Sequence, residues 1–162
     1  MSSAFTPEDF RAALGQFTTG VTIVTTVDDE GRKVGLTANS FNSVSLEPPL
    51  VLWSLALKSG SLAAMRGCNG YAINVLGADQ RVLAERFARK GIDRFEGVSW
   101  RPGLSGAPLI DGAVASFECV NTSQHEAGDH LIFVGQVTHC RRRVGAVPLV
   151  FHGGRFFTGL AL

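Results

Sequence analysis

The sequence is short of several features that would fix its chemistry at a glance. Among its 162 residues there are three cysteines, Cys68, Cys119 and Cys140, with no CxxC pair and no Cys/His ligand spacing. That rules out a disulfide framework as the organising device and leaves a structural zinc site without ligands; the thiols are expected to be reduced. No apolar run approaches the length of a membrane span, and no basic-then-apolar leader opens the chain, so the expectation is a cytoplasmic protein with no membrane partner. Charge of one sign is not in excess. Fifteen basic against fourteen acidic side chains give a net charge of +1, which offers no general argument for nucleic acid. GxGxxG, the P-loop pattern and the GxSxG elbow are all missing. A Rossmann site, a P-loop site and a Ser-His-Asp hydrolase are therefore unsupported.

What is present is a chain that is 45% hydrophobic and 18% charged, with no repeat, low-complexity tract or linker. One domain spanning 1–162, with a core of its own, is expected. Thr6-Pro7-Glu8-Asp9 is a helix start, and Phe10, Ala13, Leu14 and Phe17 follow at the spacing of one apolar helical face. From Val21 to Val27 the residues are β-branched, and Asp28–Gly31 turns into a returning strand near Lys33–Thr37. Leu50–Leu55 is nearly all apolar, as for a strand buried on both faces. Ser59 to Arg66 reads as a short helix, Tyr71–Leu76 as a strand, and Asp79–Arg89 as a helix with Val82, Leu83 and Phe87 inward. A loop containing Trp100 follows. Ala113, Ala115, Phe117 and Cys119 alternate on one side of a long strand, with Cys119 as a small core residue. That strand turns at Glu126–Asp129 and returns along Leu131–Cys140, and a last hairpin closes around Gly153-Gly154. Strands in hairpins with three short helices give an all-β-dominated fold, an antiparallel barrel decorated by helices.

Three places carry candidate chemistry. Thr37-Ala38-Asn39-Ser40-Phe41-Asn42-Ser43-Val44-Ser45 concentrates small hydrogen-bonding side chains between two strand signals. It is either an ordinary polar loop or a set of donors and acceptors for an uncharged planar ring. Ser59-Gly60-Ser61 opens a helix, which suits a phosphate or is merely a cap, and Arg86 and Arg89 either add charge there or lie on a solvated face. Gly128-Asp129-His130 places a histidine beside a carboxylate at a turn, as an oriented imidazole or simply as a turn followed by a strand. His125, His139 and His152 complete no metal-ligand spacing with His130, and no metal is expected.

Taken in order, these blocks resemble the flavin reductase-like family, the FMN-binding split-barrel reductases that serve two-component flavin monooxygenases. The resemblance runs nearly end to end. It includes Phe10-Arg11, Ala13-Leu14-Gly15, Thr19–Thr25, GLTANSFNSVSLEPPLVLWSL from Gly35 to Leu55, Tyr71–Leu76, Arg86-Phe87-Ala88, Gly128-Asp129-His130 and Pro148–His152. It implies a split-barrel homodimer with FMN or FAD near the subunit interface and NADH, or NADPH, as hydride donor. Thr37, Ala38, Asn39, Ser40, Asn42, Ser43, Val44 and Ser45 would then contact the isoalloxazine ring and ribityl chain. Ser54, Leu55, Ser59 and Ser61 would lie toward the phosphate, with Arg86 and Phe87 nearby. Asp129 and His130 would face the nicotinamide, His130 acting in catalysis. The implied activity is hydride transfer to flavin and supply of the reduced flavin to a separate monooxygenase component. An electron carrier or redox sensor that holds its flavin without turnover is the alternative, and a small-ligand module without nicotinamide binding is a weaker one. The short flanks lead us to expect no additional flavin-binding or iron–sulfur domain.

Overall fold

The computed structural model describes residues 4–159; the outermost positions of the expected 1–162 domain, 1–3 and 160–162, lie outside the described residues. The chain enters through helix α1 (Pro7–Leu14). Thr6 caps it as its sequence suggests: the Thr6 Oγ1 accepts from the Asp9 amide at 3.1 Å, and Asp9 Oδ2 accepts from the Thr6 amide at 3.0 Å. The apolar face does not pack inward, however. No residue of α1 is buried, and Phe17, beyond its end, is 76% exposed.

Among the described residues twelve strands follow, all paired antiparallel. β1 (Thr19–Gly20) joins β11 (Leu149–His152) and β12 (Arg155–Thr158) in a small sheet. The main sheet holds β2 (Thr22–Val27), β3 (Lys33–Ala38), β4 (Asn42–Leu46), β5 (Pro49–Ala56), β6 (Gly70–Val75), β9 (Ala115–Ala127) and β10 (His130–Arg142). Their spatial order is β3-β2-β6-β9-β10-β5-β4. Leu36 and Ala38 of β3 share one buried cluster with Val51, Trp53 and Leu55 of β5, although these strands lie near opposite edges of the sheet. Only a sheet curled on itself brings them together, and its edge strands β3 and β4 are not hydrogen-bonded to each other. The barrel is therefore split along that seam.

Inside, Trp53 and Phe133 stack with ring centroids 4.5 Å apart, and Tyr71 meets both rings edge-on. A second core lies outside the barrel. There Ile23, Leu76 and Leu149 pack with Ala84 and Phe87 of α3 (Arg81–Ala88), the helix that follows a 3-10 turn at Ala78–Gln80. β2 is thus buried on both faces, and its polar groups are paired accordingly. Thr22, Thr25 and Thr26 donate to the carbonyls of Ala38, Pro108 and Gly70 at 2.7, 2.6 and 2.8 Å.

Several expectations need correction. Val82 faces out, 72% exposed, because it lies on the far side of the helix from Phe87; Phe87 is buried as expected, Ala84 with it, and Leu83 packs against the same cluster. Leu50–Leu55 is not buried on both faces. Val51, Trp53 and Leu55 enter the barrel, while Leu50, Leu52 and Ser54 stay half-buried on the outside. The Trp100 loop contains a hairpin, β7 (Trp100–Pro102) with β8 (Pro108–Ile110), held because Asn74 Oδ1 accepts from the Ile110 amide at 2.9 Å. The segment from Thr37 to Ser45 is largely strand: only residues 39–41 are loop, crossing from β3 to β4. Among the described residues, no helix is long and apolar enough to cross a membrane.

Candidate active site

Residues paired across two strands point to the same face. Since Val51, Trp53 and Leu55 fill the barrel, Leu52, Ser54 and Ala56 of β5 lie on its outer surface, beside their partners Val134, Ile132 and His130 on β10. Asn42 of β4 pairs with Leu52 and joins the same face. Asn42, Ser54 and His130, far apart in sequence, thus belong to one wall.

That wall is braced at its end. Ser40 Oγ accepts from the Ser54 amide at 2.9 Å and donates to the Ser54 carbonyl at 3.1 Å, fixing the β3–β4 crossing against β5. The Leu57 amide donates to the Asp129 carbonyl at 2.9 Å, so the turn carrying His130 is tied to the chain leaving β5. His130 Nδ1 lies 2.6 Å from Asp129 Oδ1. The hydrogen bond from His130, and then its charge, hold the Asp129 carboxyl below the usual carboxylate range. With Nδ1–H donating to that carboxylate, Nε2 is the ring nitrogen left for a ligand.

The expected contacts divide by what their side chains already do. Asn39, Asn42, Ser43 and Val44 are exposed and Ser45 is half-buried; Asn42 Oδ1 accepts from the Ser43 amide. Thr37 is occupied elsewhere, donating to the Ala84 carbonyl at 2.6 Å and tying α3 to β3. Ala38 and Leu55 are in the barrel core and Phe87 is in the outer core. At these three positions only backbone is on offer to a ligand.

Beyond Ala56 the chain turns through Ser59–Ser61 into α2 (Leu62–Gly67). Two of the amides at this helix start are already engaged. The Ser61 amide donates to Ser59 Oγ at 3.2 Å and the Leu62 amide to the Ser59 carbonyl at 3.1 Å. Positive charge comes from another source. Ser59 and Ser61 line a groove of about 520 Å³ with Lys33, Lys90, Asp93 and Arg94. Sequence reasoning missed these three cations, which come from segments nearly sixty residues apart; the only signal was the basic run after α3. Arg94 donates to the carbonyls of Arg89 and Gly35, both at 2.7 Å. Burial pulls its pKa below the usual guanidinium value, and a guanidinium so lowered is still cationic. Lys33 Nζ sits 4.9 Å from the Trp100 ring centre. Arg86 does not line the groove. Its guanidinium reaches Glu96 at 3.8 Å, and its buried Nε has no partner among the described residues.

An uncharged wall of amides and hydroxyls thus runs into a groove with a surplus of positive charge. The arrangement fits a molecule with a polar ring at one end and a phosphate at the other. The sequence profile of the flavin reductase like domain matches residues 14–160. The chain belongs to that family. It is 50% identical over 147 residues to the FMN reductase (NADH) SmoA of Agrobacterium fabrum, covering 91% of this chain and 83% of that protein. It is 40% identical to the flavin-dependent monooxygenase reductase subunit HsaB of Mycobacterium tuberculosis, covering 99% of this chain and 86% of the other. A solved NADH:FAD oxidoreductase of Streptomyces globisporus, in complex with NAD and FAD fragments, superposes with a TM-score of 0.89 at 41% identity, covering 96% of each chain. The chain spans only half the length of another relative, a probable flavin reductase of Rhizobium meliloti, at 43% identity over 97% of this chain. Among the described residues, no group of His, Cys, Asp and Glu is placed to hold a metal ion. In this flavin reductase family member the donor set suits an organic ligand.

Proposed function

We propose that this chain is an NADH-dependent flavin reductase that passes reduced flavin to a separate flavin-dependent monooxygenase. The observation that carries the proposal is the junction of the Asn42–Ser54–His130 wall with the Lys33–Lys90–Arg94 groove. The relatives' names, an FMN reductase (NADH), an NADH:FAD oxidoreductase and a monooxygenase reductase subunit, support the reaction and the partner class.

A bound flavin supplies the chemistry, accepting hydride from reduced nicotinamide. The protein's residues bind and orient. Asn39, Asn42 and Ser45 present neutral donors and acceptors to the ring edge, Ser43, paired with Val51, offers its backbone there, and the Ser40–Ser54 lock keeps that edge at a fixed place. Preorganised donors of this kind favour negative charge as it develops on a bound ring, without the reorganisation that water needs. Lys33, Lys90 and Arg94 hold the phosphate, with Ser59 and Ser61 beside them. His130, oriented through Asp129, offers Nε2 to the carboxamide or a phosphate of the nicotinamide nucleotide. No side chain has to act as a nucleophile or a general base.

The whole chain works as one flavin reductase-like domain, paired as a homodimer through the apolar surface left open by α1 and the outside of β4 and β5. A diffusing NADH donor and three unpaired cysteines fit an enzyme of the cytoplasm. The test is NADH oxidation with excess FMN, FAD or riboflavin. Many turnovers per protein chain are expected with at least one of them; oxidation that stops near one equivalent would identify an electron carrier instead.

A further inference from the structure

A second groove, of about 950 Å³, adjoins the phosphate groove and shares Lys33, Val34 and Gly60 with it. It runs between the β2–β3 turn and α2. We propose that it receives the adenosine end of a flavin dinucleotide, so that the site is built for FAD rather than FMN. This rests on the flavin reductase reading above.

The order of the parts along β3 carries the proposal. The polar wall is reached at the Ala38 end, the phosphate groove lies beside Gly35, and the second groove begins at Lys33 and continues to Asp28. At 3.2–3.4 Å per strand residue, Ala38 and Lys33 are roughly 17 Å apart. A mononucleotide whose ring lies on the wall would end in the basic groove, leaving the longer continuation empty.

Charge follows the same order. Lys33, Lys90 and Arg94 outnumber the single carboxylate Asp93 in the first groove, where phosphates belong. In the second, Asp28 and Asp29 balance Arg32 and Lys33, which disfavours a further anion and suits an uncharged nucleoside. Asp28 is already occupied, accepting from Arg32 Nε at 2.8 Å and from the Arg32 and Glu30 amides. Among the described residues, the side chains of Asp29, Asn69 and Ser105 make no hydrogen bond. A carboxylate, an amide and a hydroxyl are thus available for ribose hydroxyls and a purine edge. Val34, Ala63 and Ala64 give the groove an apolar side against which a base can lie.

The experiment is calorimetric titration of the protein with FMN, FAD and ADP, repeated on Ala63→Trp and on Asn69→Ala. Ala63 is exposed on α2, so the larger side chain fills the groove without entering the core. The expected wild-type result is FAD bound at least about tenfold more tightly than FMN, with ADP, whose phosphates enter the same basic groove, competing against both. Ala63→Trp should bring the FAD-to-FMN affinity ratio close to one, and Asn69→Ala should lower it by several fold. Equal affinities in the wild type, or a ratio unmoved by both substitutions, overturn the proposal while FMN turnover leaves the reductase reading standing. An unchanged ratio with a raised KM for NADH assigns the groove to the nicotinamide nucleotide and also overturns it. Failure to bind either flavin would overturn the reductase reading itself.

Discussion

At His130 the geometry separates binding of one nucleotide from binding of the other. Its ring is on the outer wall, opposite Ala56 and hydrogen-bonded to Asp129, while the cations of the phosphate groove are on β3 and the segment after α3. His130→Ala should therefore leave the flavin dissociation constant within about twofold but slow reduction by NADH tenfold or more, a loss of about 1.4 kcal/mol of positioning. Stopped-flow traces of flavin bleaching against NADH concentration check this, and unchanged rate and NADH affinity would remove His130 from the mechanism. The residue could be found in the sequence because its orienting partner is its neighbour. Lys33, Lys90 and Arg94 could not, since what unites them is the approach of β3 to the segment after α3. Nor could the sequence show that Thr37 and Ala38 are engaged elsewhere, although its apolar patterns already turned Leu55 and Phe87 toward a core. A side chain next to a ligand and one holding that place from behind occupy the same motif.

Elements were legible where one face is buried and the other is wet. The β9–β10 hairpin was expected nearly at its true limits; β10 alternates from His130 to Gly135, and Cys119 is buried in β9, 4% exposed. Legibility failed at β5, whose apolar residues lie on both faces: composition reports what a face would bury, not what covers it. It failed again at β7 and β8, where glycine and proline hide a hairpin fixed by Asn74. The approach of α3 to β3 is another feature visible only in three dimensions, and it depends on a missing side chain. A Cβ on Gly35 would stand 2.8 Å from Phe87 Cε1 and 3.0 Å from Phe95 Cζ, inside van der Waals contact. Gly35→Ala should cost about 1–3 kcal/mol by overpacking. It should also weaken flavin binding, because Gly35 lines the phosphate groove and its carbonyl holds Arg94. Urea denaturation reads the first effect and fluorescence titration the second; a variant as stable as the wild type would mean that α3 is free to shift.

For the whole molecule, the barrel interior sets the response to alkali. Burial pushes the Cys119 thiol up from 9.0 to about 12, and burial likewise raises Tyr71. The folded chain keeps the Cys119 proton where the unfolded chain gives it up, so unfolding releases protons and is favoured by rising pH. The contribution is intact below pH 9.0 and is lost between there and about 12. Thermal melts followed by circular dichroism should show a Tm that falls across that window, with Cys140, which is exposed, modified by a thiol reagent well before Cys119. A Tm that holds to pH 11 would contradict the burial of these groups.

The outside of the molecule points to association. Phe10, Leu14 and Phe17 are exposed along and just beyond α1, Val44 and Leu46 are exposed on β4, and Leu50 and Leu52 are only half-buried on β5. Leu46 is 93% exposed, and β4 is a sheet edge. A monomer with this much apolar surface and an unpaired edge would be prone to aggregate, whereas a symmetric dimer hides both at once. The same surface borders the Asn42–Ser54–His130 wall, so pairing would also screen a bound ring from water. Phe17→Asp combined with Leu46→Asp should thus convert a dimer to a monomer in light scattering and raise the KM for flavin, while leaving the barrel folded by circular dichroism. A wild-type chain that stays monomeric at tens of micromolar would show that these apolar faces serve another partner, and the oxygenase component would be the first to test.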